Sequence, residues 1–430
     1  MKNKINIAVV GLGQVGIYLL NELNIKKRDI ELKTGKRINV VAVSARSISK
    51  KRKFKFNKKI FYKNPLAIFN KVKVDILFEA IGLSDGISKK VVETALKNKI
   101  HVITPNKALI SKHGDYLAKL AEDNNVNLEF EASVAGGIPI LRSIKEGLAT
   151  NKISKIYGIL NGTSNYILSE MENSNESFLN VLKKAQKLGY AEPGNPKLDL
   201  NGFDALAKVR ILSSLAFNTK ISKHKCLMEG IQNIELKDIE IANQLNLRIK
   251  LLGISELKNN QLFETVHPCL VNKKSYIGNV GGVMNAVILE SKPVGESVLQ
   301  GEGAGPGPTS SSLLSDLLSI LRGNIKKPFG IPSSKRKSIK YYNVDNYVNS
   351  LYLRFEVKDK PGVLSQITNR LAKYKISVKR LIQTPDKKNN KATIIIITHK
   401  TTELNSNNCL SIFKNNKNIL KPLTLIRLYN

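Results

Sequence analysis

The sequence predicts an α/β protein in which a parallel, doubly wound sheet comes first and two α+β regions follow. Short apolar runs typical of buried strands alternate with stretches of helical spacing, and they lie at 5–10, 37–43, 74–80 and 101–104. The first run ends in a glycine-rich turn, residues 11–16, that opens a helical pattern. From about residue 127 the strand–helix alternation stops, which marks a second region.

The composition is that of a folded protein with a strongly basic surface. The chain has 430 residues, of which 42% are apolar and 24% charged, so it is neither disordered nor collagen-like and is long enough for about two to three domains. Lys and Arg number 69 against 34 Asp and Glu, a net charge of +35. These cations are scattered, aromatic residues make up 6% and Trp is absent, so we expect no nucleic-acid interface.

Cysteine usage and hydropathy indicate a reducing compartment and no membrane. Cys226, Cys269 and Cys409 lie far apart and form no CxxC pair, so neither a disulfide framework nor a thiolate metal site is indicated. The first ten residues enter a strand-like run without a signal-peptide pattern. No apolar stretch approaches the roughly 18 residues of a membrane span. We therefore expect a cytoplasmic protein.

The turn after the first strand carries the pattern GxGxxG. Gly11 permits the turn, Gly13 lets the backbone approach a pyrophosphate, and Gly16 allows close packing of helix on strand. Gln14 and Val15 then lie at the helix N-terminus, which faces the anion. The pattern predicts a Rossmann-type dinucleotide-binding domain with these five residues at the cofactor; a glycine turn without a ligand is the alternative.

The end of the second strand indicates which dinucleotide is used. NAD-preferring sites carry Asp or Glu there to accept the ribose hydroxyls, whereas this chain has Arg46 between small hydroxyl residues and then four cations at 50–53. An arginine suits a 2′-phosphate, so NADP(H) is predicted to be preferred over NAD(H). The alternative is that these cations only reflect the basic composition.

Lys107 follows the strand at 101–104 and falls in the first turn of a predicted helix, on the ligand edge of an open α/β sheet. A cation there opposes the helix dipole by a few tenths to ~1 kcal/mol, so the position favours a nearby anion. A functional lysine is therefore predicted, with a tolerated surface lysine as the alternative.

Asp204 and Lys208 are four residues apart and share one face of a helix that is apolar nearly all round. A buried lysine is costly unless it is paired, and burial moves its pKa toward the range used in proton transfer. Lys208 is therefore a candidate catalytic group, with a structural buried pair as the alternative. Upstream, Glu192 lies in a rigid Pro- and Gly-rich loop, where it is either a ligand for a substrate ammonium group or a solvated loop residue.

These segments together resemble the monofunctional homoserine dehydrogenases along essentially the whole chain. The matching motifs are GLGQVG at 11–16, NKAL at 106–109, EASVAGGIP at 131–139, NGTSNYIL at 161–168, GYAE at 189–192, and GFD at 202–204 with Lys208. The resemblance implies reversible, NAD(P)-dependent interconversion of L-homoserine and L-aspartate 4-semialdehyde, in the biosynthesis of threonine, isoleucine and methionine.

The resemblance also implies roles for single residues. Lys208 matches the proton donor and acceptor, Asp204 and Glu192 match substrate-binding carboxylates, and Lys107 matches a lysine near cofactor and substrate. The implied site for a monovalent metal ion, commonly sodium, takes Glu131 and the backbone carbonyls of Val134, Gly136 and Ile138; backbone oxygens suit such a hard cation. Gly189 and Gly303 complete the implied cofactor set. The loop from Glu192 to Asp204 departs from the family, being one residue longer than its commonest spacing, owing to residues 193–196.

Past the basic run at 335–337, strand patterns at 351–357, 378–384 and 393–398 surround a helical pattern at 362–374. The turn 357–364 resembles that of ACT-type amino-acid-sensing domains, which implies threonine as an effector; a purely structural module is the alternative. We expect four parts: 1–130, with a return helix at about 305–325; an α+β catalytic and dimerisation domain, 131–304; a linker, 326–348; and an ACT-like domain, 349–430.

The resemblance favours a homodimer or homotetramer. A silent dinucleotide-binding regulator and a different oxidoreductase on the same scaffold are the rival functions. The presence of Lys107, Asp204 and Lys208 argues against the silent regulator.

Overall fold

The computed structural model describes residues 4–194, 196–386, 389–413 and 416–429. These residues form two compact units, each made of separate stretches of chain. The first unit takes the described residues of Met1–Gly162, Asp204–Lys223 and Met284–Ile339, and the second takes those of Thr163–Phe203, His224–Val283 and Lys340–Asn430.

The described residues contain the following strands and helices. The strands are β1 (Lys4–Val10), β2 (Arg37–Ser44), β3 (Phe61–Tyr62), β4 (Ile76–Glu79), β5 (His101–Ile103), β6 (Leu128–Glu129), β7 (Lys152–Ile159), β8 (Leu227–Met228), β9 (Leu247–Lys258), β10 (Gln261–Asn272), β11 (Met284–Lys292), β12 (Gly295–Glu302), β13 (Val348–Lys358), β14 (Val378–Asp386), β15 (Lys391–Thr398), β16 (Thr401–Thr402) and β17 (Thr424–Leu428). The helices are α1 (Gln14–Ile25), α2 (Lys27–Thr34), α3 (Ile68–Lys71), α4 (Ile87–Lys97), α5 (Lys107–Asp123), α6 (Ile140–Arg142), α7 (Gly162–Ser174), α8 (Phe178–Leu188), α9 (Lys197–Leu200), α10 (Phe203–Ala216), α11 (Leu236–Gln244), α12 (Pro306–Leu321), α13 (Val363–Lys373) and α14 (Glu403–Phe413).

The first unit contains a six-stranded parallel sheet in the order β3-β2-β1-β4-β5-β6. The strand order reverses between β1 and β4, which is where open α/β sheets bind ligands. The last four residues of β1, Ile7 to Val10, are all apolar and buried, as expected for a strand covered on both faces. The predicted doubly wound sheet is therefore confirmed.

Helix α12 completes the hydrophobic core of this sheet. Leu313 and Leu317 of α12 are fully buried in the same cluster as Leu19 and Leu23 of α1. A helix from the late part of the chain thus covers the sheet next to the glycine-rich turn. The remaining strands of the unit, β7, β11 and β12, pair antiparallel with β11 in the middle.

The second unit is built on strands in the order β9-β10-β17-β13-β15-β14. The end of the chain ties its parts together, because β17 pairs parallel with β10 and antiparallel with β13. Helices α13 and α14 pack on β13 and β15 through a core that includes Phe355, Leu371, Ile396 and Phe413. The predicted C-terminal α+β module is confirmed, with strands that are longer than the sequence pattern indicated.

Two smaller predictions concern cysteines and membranes. Cys226, Cys269 and Cys409 are free thiols. Within the described ranges, every helix is too short or too polar to cross a membrane.

Candidate active site

The glycine-rich turn after β1 forms the first part of a dinucleotide site. A Cβ at Gly11 would lie 2.3 Å from the carbonyl oxygen of Ala80, and one at Gly16 would lie 1.8 Å from the carbonyl oxygen of Gly11. The packing of the protein itself therefore requires both glycines. A Cβ at Gly13 would meet nothing within 4 Å. The space beside Gly13 is open where a pyrophosphate would approach the N-terminus of α1.

A cavity of about 570 Å³ runs from this turn, and its lining consists of Leu12, Gly13, Gln14, Ile17, Tyr18, the residues 50–54, Pro306 and Gly307. The Arg52 guanidinium donates hydrogen bonds to the carbonyl oxygens of Leu12 at 3.2 Å and of Ser47 at 2.7 Å. Arg52 thus holds the basic loop against the glycine turn. Arg46 is exposed, two residues past β2, and lies outside this lining. Val15 packs against the core of the sheet.

Lys107 is held at the carboxyl end of β5 by the start of α5. Asn106 caps α5, because its side-chain oxygen accepts the N–H of Leu109 at 3.1 Å. The buried carboxylate of Glu79, at the end of β4, accepts a hydrogen bond of 2.6 Å from the Thr104 hydroxyl. The ends of two neighbouring strands are thereby joined immediately before Lys107, in the first turn of the helix.

Asp204 brings the two predicted lysines together. One of its carboxylate oxygens lies 2.7 Å from Lys107 Nζ, and the other lies 2.9 Å from Lys208 Nζ. The amide of Asn161 donates to the same carboxylate at 3.0 Å. Lys208 Nζ also donates to the carbonyl oxygen of Leu160 at 2.5 Å. Lys208 is therefore held by two oxygen acceptors, the Asp204 carboxylate on the same helix and the carbonyl of Leu160, which follows β7.

The charges of this cluster favour the ionised form of the Asp204 carboxyl. Burial alone would raise the pKa of the Asp204 carboxyl, but the ammonium groups of Lys208 and then Lys107 hold it well below its usual range. Two cations and one anion leave the cluster with one positive charge in excess. Lys208 is buried whereas 42% of the Lys107 side-chain surface is exposed, so an incoming anion meets Lys107 first.

The segment after β6 carries the four predicted metal ligands. A Cβ at Gly136 would lie 2.6 Å from the carbonyl group of Gly303, so the segment is locked against the turn that precedes α12. The carbonyl oxygen of Gly136 accepts the Ser312 hydroxyl at 2.7 Å, and that of Ile138 accepts the N–H of Ile140 at 2.8 Å. Each of these oxygens keeps a second lone pair for a cation.

The carboxylate of Glu131 is buried and accepts the backbone N–H groups of Leu141 and Arg142, both at 2.8 Å. Burial raises its pKa, against the nearby charges of Lys145 and Arg142. Lys145 pairs with Glu129 and Arg142 pairs with Asp316, so no described cation lies at ion-pair distance from Glu131. Within the described ranges, no three His, Cys, Asp or Glu side chains converge as metal ligands. The Glu131 carboxylate and the carbonyl oxygens of this segment are oxygen donors, the ligand type that hard cations take.

The second unit holds Gly189 and Glu192. Gly189 is the C-terminal cap of α8 and has a φ of +79°. A glycine is favoured at this position because the backbone is in the left-handed conformation. Glu192 is exposed, and its carbonyl oxygen accepts a hydrogen bond from Gln186 at 3.1 Å. Asn195, part of the longer loop, lies outside the described residues.

A second cavity, of about 420 Å³, lies at the turn between β13 and α13 and is lined by the residues 357–364, Gln383 and Ile394. Gly362 has a φ of +86° and precedes the first residue of α13, whose N-terminal N–H groups therefore face the turn. This geometry suits the carboxylate of a small ligand.

Some groups of the site carried no sequence signal of their own. Asn161 and the carbonyl of Leu160 are 43 and 48 residues from the side chains they contact. Asn161 lies inside the motif NGTSNYIL, so the sequence could have identified it as a candidate residue of the site. Arg52 was predicted only as one of four clustered cations.

Three family models match the chain: "Homoserine dehydrogenase, NAD binding domain" at residues 11–131, "Homoserine dehydrogenase" at 139–318 and "ACT domain" at 351–408. The homoserine dehydrogenase of Neisseria gonorrhoeae is 37% identical over 99% of this chain and 98% of its own. That of Helicobacter pylori is 36% identical, with full coverage of both chains, 100% each. A homoserine dehydrogenase structure from Thiobacillus denitrificans superimposes with a TM-score of 0.89 at 34% identity, covering 99% of this chain and 98% of that one.

Proposed function

Because this chain belongs to the homoserine dehydrogenase family and is therefore an NAD(P)-dependent oxidoreductase, we propose that it interconverts L-homoserine and L-aspartate 4-semialdehyde. The observation that supports the proposal most is the cluster of Lys107, Asp204 and Lys208, whose charged atoms lie 2.7 and 2.9 Å apart at the ligand edge of the sheet. The reaction belongs to the route to threonine, isoleucine and methionine.

Lys208 moves the proton. When bound, the nicotinamide supplies the hydride to the aldehyde carbon or accepts it from the alcohol carbon. In the reduction, Lys208 Nζ donates a proton to the aldehyde oxygen as that oxygen gains negative charge. The Asp204 carboxylate and the Leu160 carbonyl hold the ammonium in place by hydrogen bonds of 2.9 and 2.5 Å. Oxidation of homoserine runs through the same atoms in reverse.

Lys107 and the carboxylates position the substrate. The partly exposed ammonium of Lys107 and the excess positive charge of the cluster stabilise the developing alkoxide oxygen. Asp204 and Glu192 bind the amino-acid end of the substrate, with Asp204 also orienting both lysines. Holding the two reactants in this geometry supplies most of the rate acceleration, because no covalent intermediate is needed.

NADP(H) is the preferred cofactor. The adenosine end of the 570 Å³ cavity is lined by the cations at 50–53, and no carboxylate lies among its lining residues. Arg46, exposed at the end of β2, is free to turn toward a 2′-phosphate. The turn residues 11–16, with Lys107, Gly189 and Gly303, complete the binding set.

Glu131 and the carbonyl oxygens of Val134, Gly136 and Ile138 would hold a monovalent metal ion, which in the family it resembles is commonly sodium. Such an ion stiffens the segment that meets Gly303. The cavity at Gly362 takes an amino-acid effector, threonine, and the protein assembles as a homodimer or homotetramer. The domain boundaries predicted from the sequence remain part of this proposal, since the matches to the family models and the two compact units divide the chain differently.

The test is steady-state oxidation of NADPH and of NADH with L-aspartate 4-semialdehyde, with chromatographic identification of the product and with added threonine. Turnover to homoserine with NADPH preferred supports the reaction and the cofactor. Turnover that does not respond to threonine removes the effector and leaves the reaction. No turnover with either cofactor overturns the proposed function.

A further inference from the structure

Glu79, the last residue of β4, places a completely buried carboxylate at the ligand edge of the parallel sheet. A buried carboxylate is costly unless hydrogen-bond donors surround it. Its Oε1 accepts the backbone N–H groups of Ile81 at 2.9 Å and Gly82 at 3.4 Å, and the Ser88 hydroxyl at 2.7 Å. This oxygen therefore holds the turn after β4 and the first turn of α4.

The other oxygen of Glu79, Oε2, holds the segment that leads from β5 to Lys107. It accepts the Thr104 hydroxyl at 2.6 Å and the Asn106 side-chain amide at 3.4 Å. The Thr104 hydroxyl oxygen in turn accepts the backbone N–H of Asn106 at 3.0 Å. Asn106 caps α5, and Lys107 is the first residue of that helix. A continuous set of hydrogen bonds thus connects the Glu79 carboxylate to the residue before Lys107.

Lys107 needs such support, because its own helix and its ion pair hold it weakly. A cation in the first turn of a helix faces the positive end of the helix dipole. Because 42% of the side chain is exposed, solvent screens its 2.7 Å contact with Asp204. The negative charge of Glu79 at the start of α5 offsets the dipole there. The place of Lys107 therefore depends on how the start of α5 is held.

We propose that Glu79 is a positioning residue of the reaction: through the hydrogen bonds of Oε2 it holds the Lys107 ammonium beside Asp204. Because Glu79 is completely buried, it acts through Lys107 rather than on the substrate or the cofactor. This inference rests on the proposed function, in which Lys107 stabilises the developing alkoxide oxygen.

The isosteric replacement Glu79→Gln should disturb the hydrogen bonds of Oε2 and keep those of Oε1. The two backbone N–H groups of the turn after β4 need an acceptor, so the new amide oxygen takes the place of Oε1. The new amide nitrogen then faces the Asn106 amide nitrogen, and two donors meet. Asn106 cannot turn its amide over without losing its 3.1 and 2.8 Å bonds with the backbone.

The test is a double-mutant cycle, measured as kcat for the reduction of L-aspartate 4-semialdehyde by NADPH. Glu79→Gln should lower kcat about tenfold in the otherwise wild-type protein, because a small displacement of a group beside the reacting atoms is costly. In a Lys107→Ala background the same replacement should change kcat by less than about twofold, because the residue through which it acts is gone. NADPH binding should be unchanged, since the turn after β4 keeps its hydrogen bonds.

Thr104→Val and Ser88→Ala form a matched pair that tests the proposal even if Glu79→Gln does not fold. Each removes a buried hydroxyl that donates to Glu79, at 2.6 and 2.7 Å. Ser88, however, belongs to α4 and lies 3.5 Å from the Asn106 amide. Thr104→Val should lower kcat about tenfold, whereas Ser88→Ala should leave it close to that of wild type.

Acylation of Lys107, followed by mass spectrometry of its peptide, tests the same contact without turnover. An ammonium held by a carboxylate is acylated slowly, so Glu79→Gln and Thr104→Val should raise the rate by up to about fivefold, and Ser88→Ala should not. A wild type that does not reduce the aldehyde would overturn the proposed function, and the acylation rates would still decide the role of Glu79.

Three results would overturn the role of Glu79. In the first, Glu79→Gln and Thr104→Val keep the kcat and the acylation rate of wild type. In the second, Glu79→Gln lowers kcat by the same factor in the Lys107→Ala background as in wild type, which is the result of a merely structural role. In the third, Ser88→Ala lowers kcat as much as Thr104→Val does.

Discussion

The replacement Asp204→Asn tests how the buried charge cluster is held. It keeps the size of the side chain and removes the negative charge that lies 2.7 Å from Lys107 Nζ and 2.9 Å from Lys208 Nζ. Breaking a buried ion pair costs about 3–5 kcal/mol because the remaining charge is left unpaired. The Lys107 pair adds little, since 42% of that side chain is exposed and solvent screens it.

We therefore expect the free energy of unfolding to fall by about 3–5 kcal/mol at pH 7. The pH dependence follows from the lowered pKa of Asp204. A carboxyl whose pKa is lower in the folded than in the unfolded protein stabilises the fold above the unfolded value of about 3.9. That stabilisation is lost as pH falls through the folded value. The difference between wild type and variant should stay constant from about pH 5 to 8 and shrink below about pH 4.

Urea unfolding at several pH values measures this difference. Asp29→Asn is the matched control, because Asp29 and Lys33 form an exposed pair four residues apart in α2, which is worth only about 0.2–0.5 kcal/mol. A loss of unfolding free energy in Asp204→Asn no larger than that in Asp29→Asn, or one that grows as the pH falls below about 4, would contradict this role of Asp204.

Three further variants test other parts of the structure. Gly16→Ala should destabilise the protein strongly, because its Cβ would lie 1.8 Å from a backbone oxygen. Gly13→Ala, whose Cβ would meet nothing within 4 Å, should unfold in urea like wild type but bind the dinucleotide more weakly. Equal free energies of unfolding for the two variants would contradict this. Asp238→Asn should lower the free energy of unfolding by less than the about 3–5 kcal/mol of a fully unpaired buried charge, because the Arg354 guanidinium loses the carboxylate at 2.7 Å but keeps those of Glu235 at 3.3 Å and Glu356 at 3.4 Å. A loss below about 1 kcal/mol, the size expected of an exposed pair, would show that this pair is screened by solvent.

The parts of the fold that depend on local pattern could be predicted from the sequence. The buried strand β1 is marked by an apolar run, and the turn that follows it is marked by glycines that the backbone requires. Helix α14 and strand β17 had no such signal, because Asn-rich segments precede or occupy them. Strand β17 is stabilised by pairing with β10 and β13, which are distant in the chain.

In the candidate active site, too, contacts between residues close in the sequence could be predicted, whereas contacts that depend on the tertiary fold could not. The pair of Asp204 and Lys208 could be predicted because residues four apart meet on one helix face. The contact of Lys107 with Asp204 depends on the tertiary fold, since 97 residues separate them in the sequence.

In the proposed mechanism, Lys208 carries the proton of the reaction. The most direct measurement is kcat for the reduction of L-aspartate 4-semialdehyde by NADPH in wild type, Lys208→Ala and Lys107→Ala, together with the dissociation constant for NADPH. We predict that Lys208→Ala lowers kcat by about 10²- to 10⁴-fold while NADPH binding is unchanged, because the proton donor alone is lost. A Lys208→Ala enzyme with kcat near that of wild type, beside a Lys107→Ala enzyme that has lost turnover, would contradict the claim and assign the proton to Lys107.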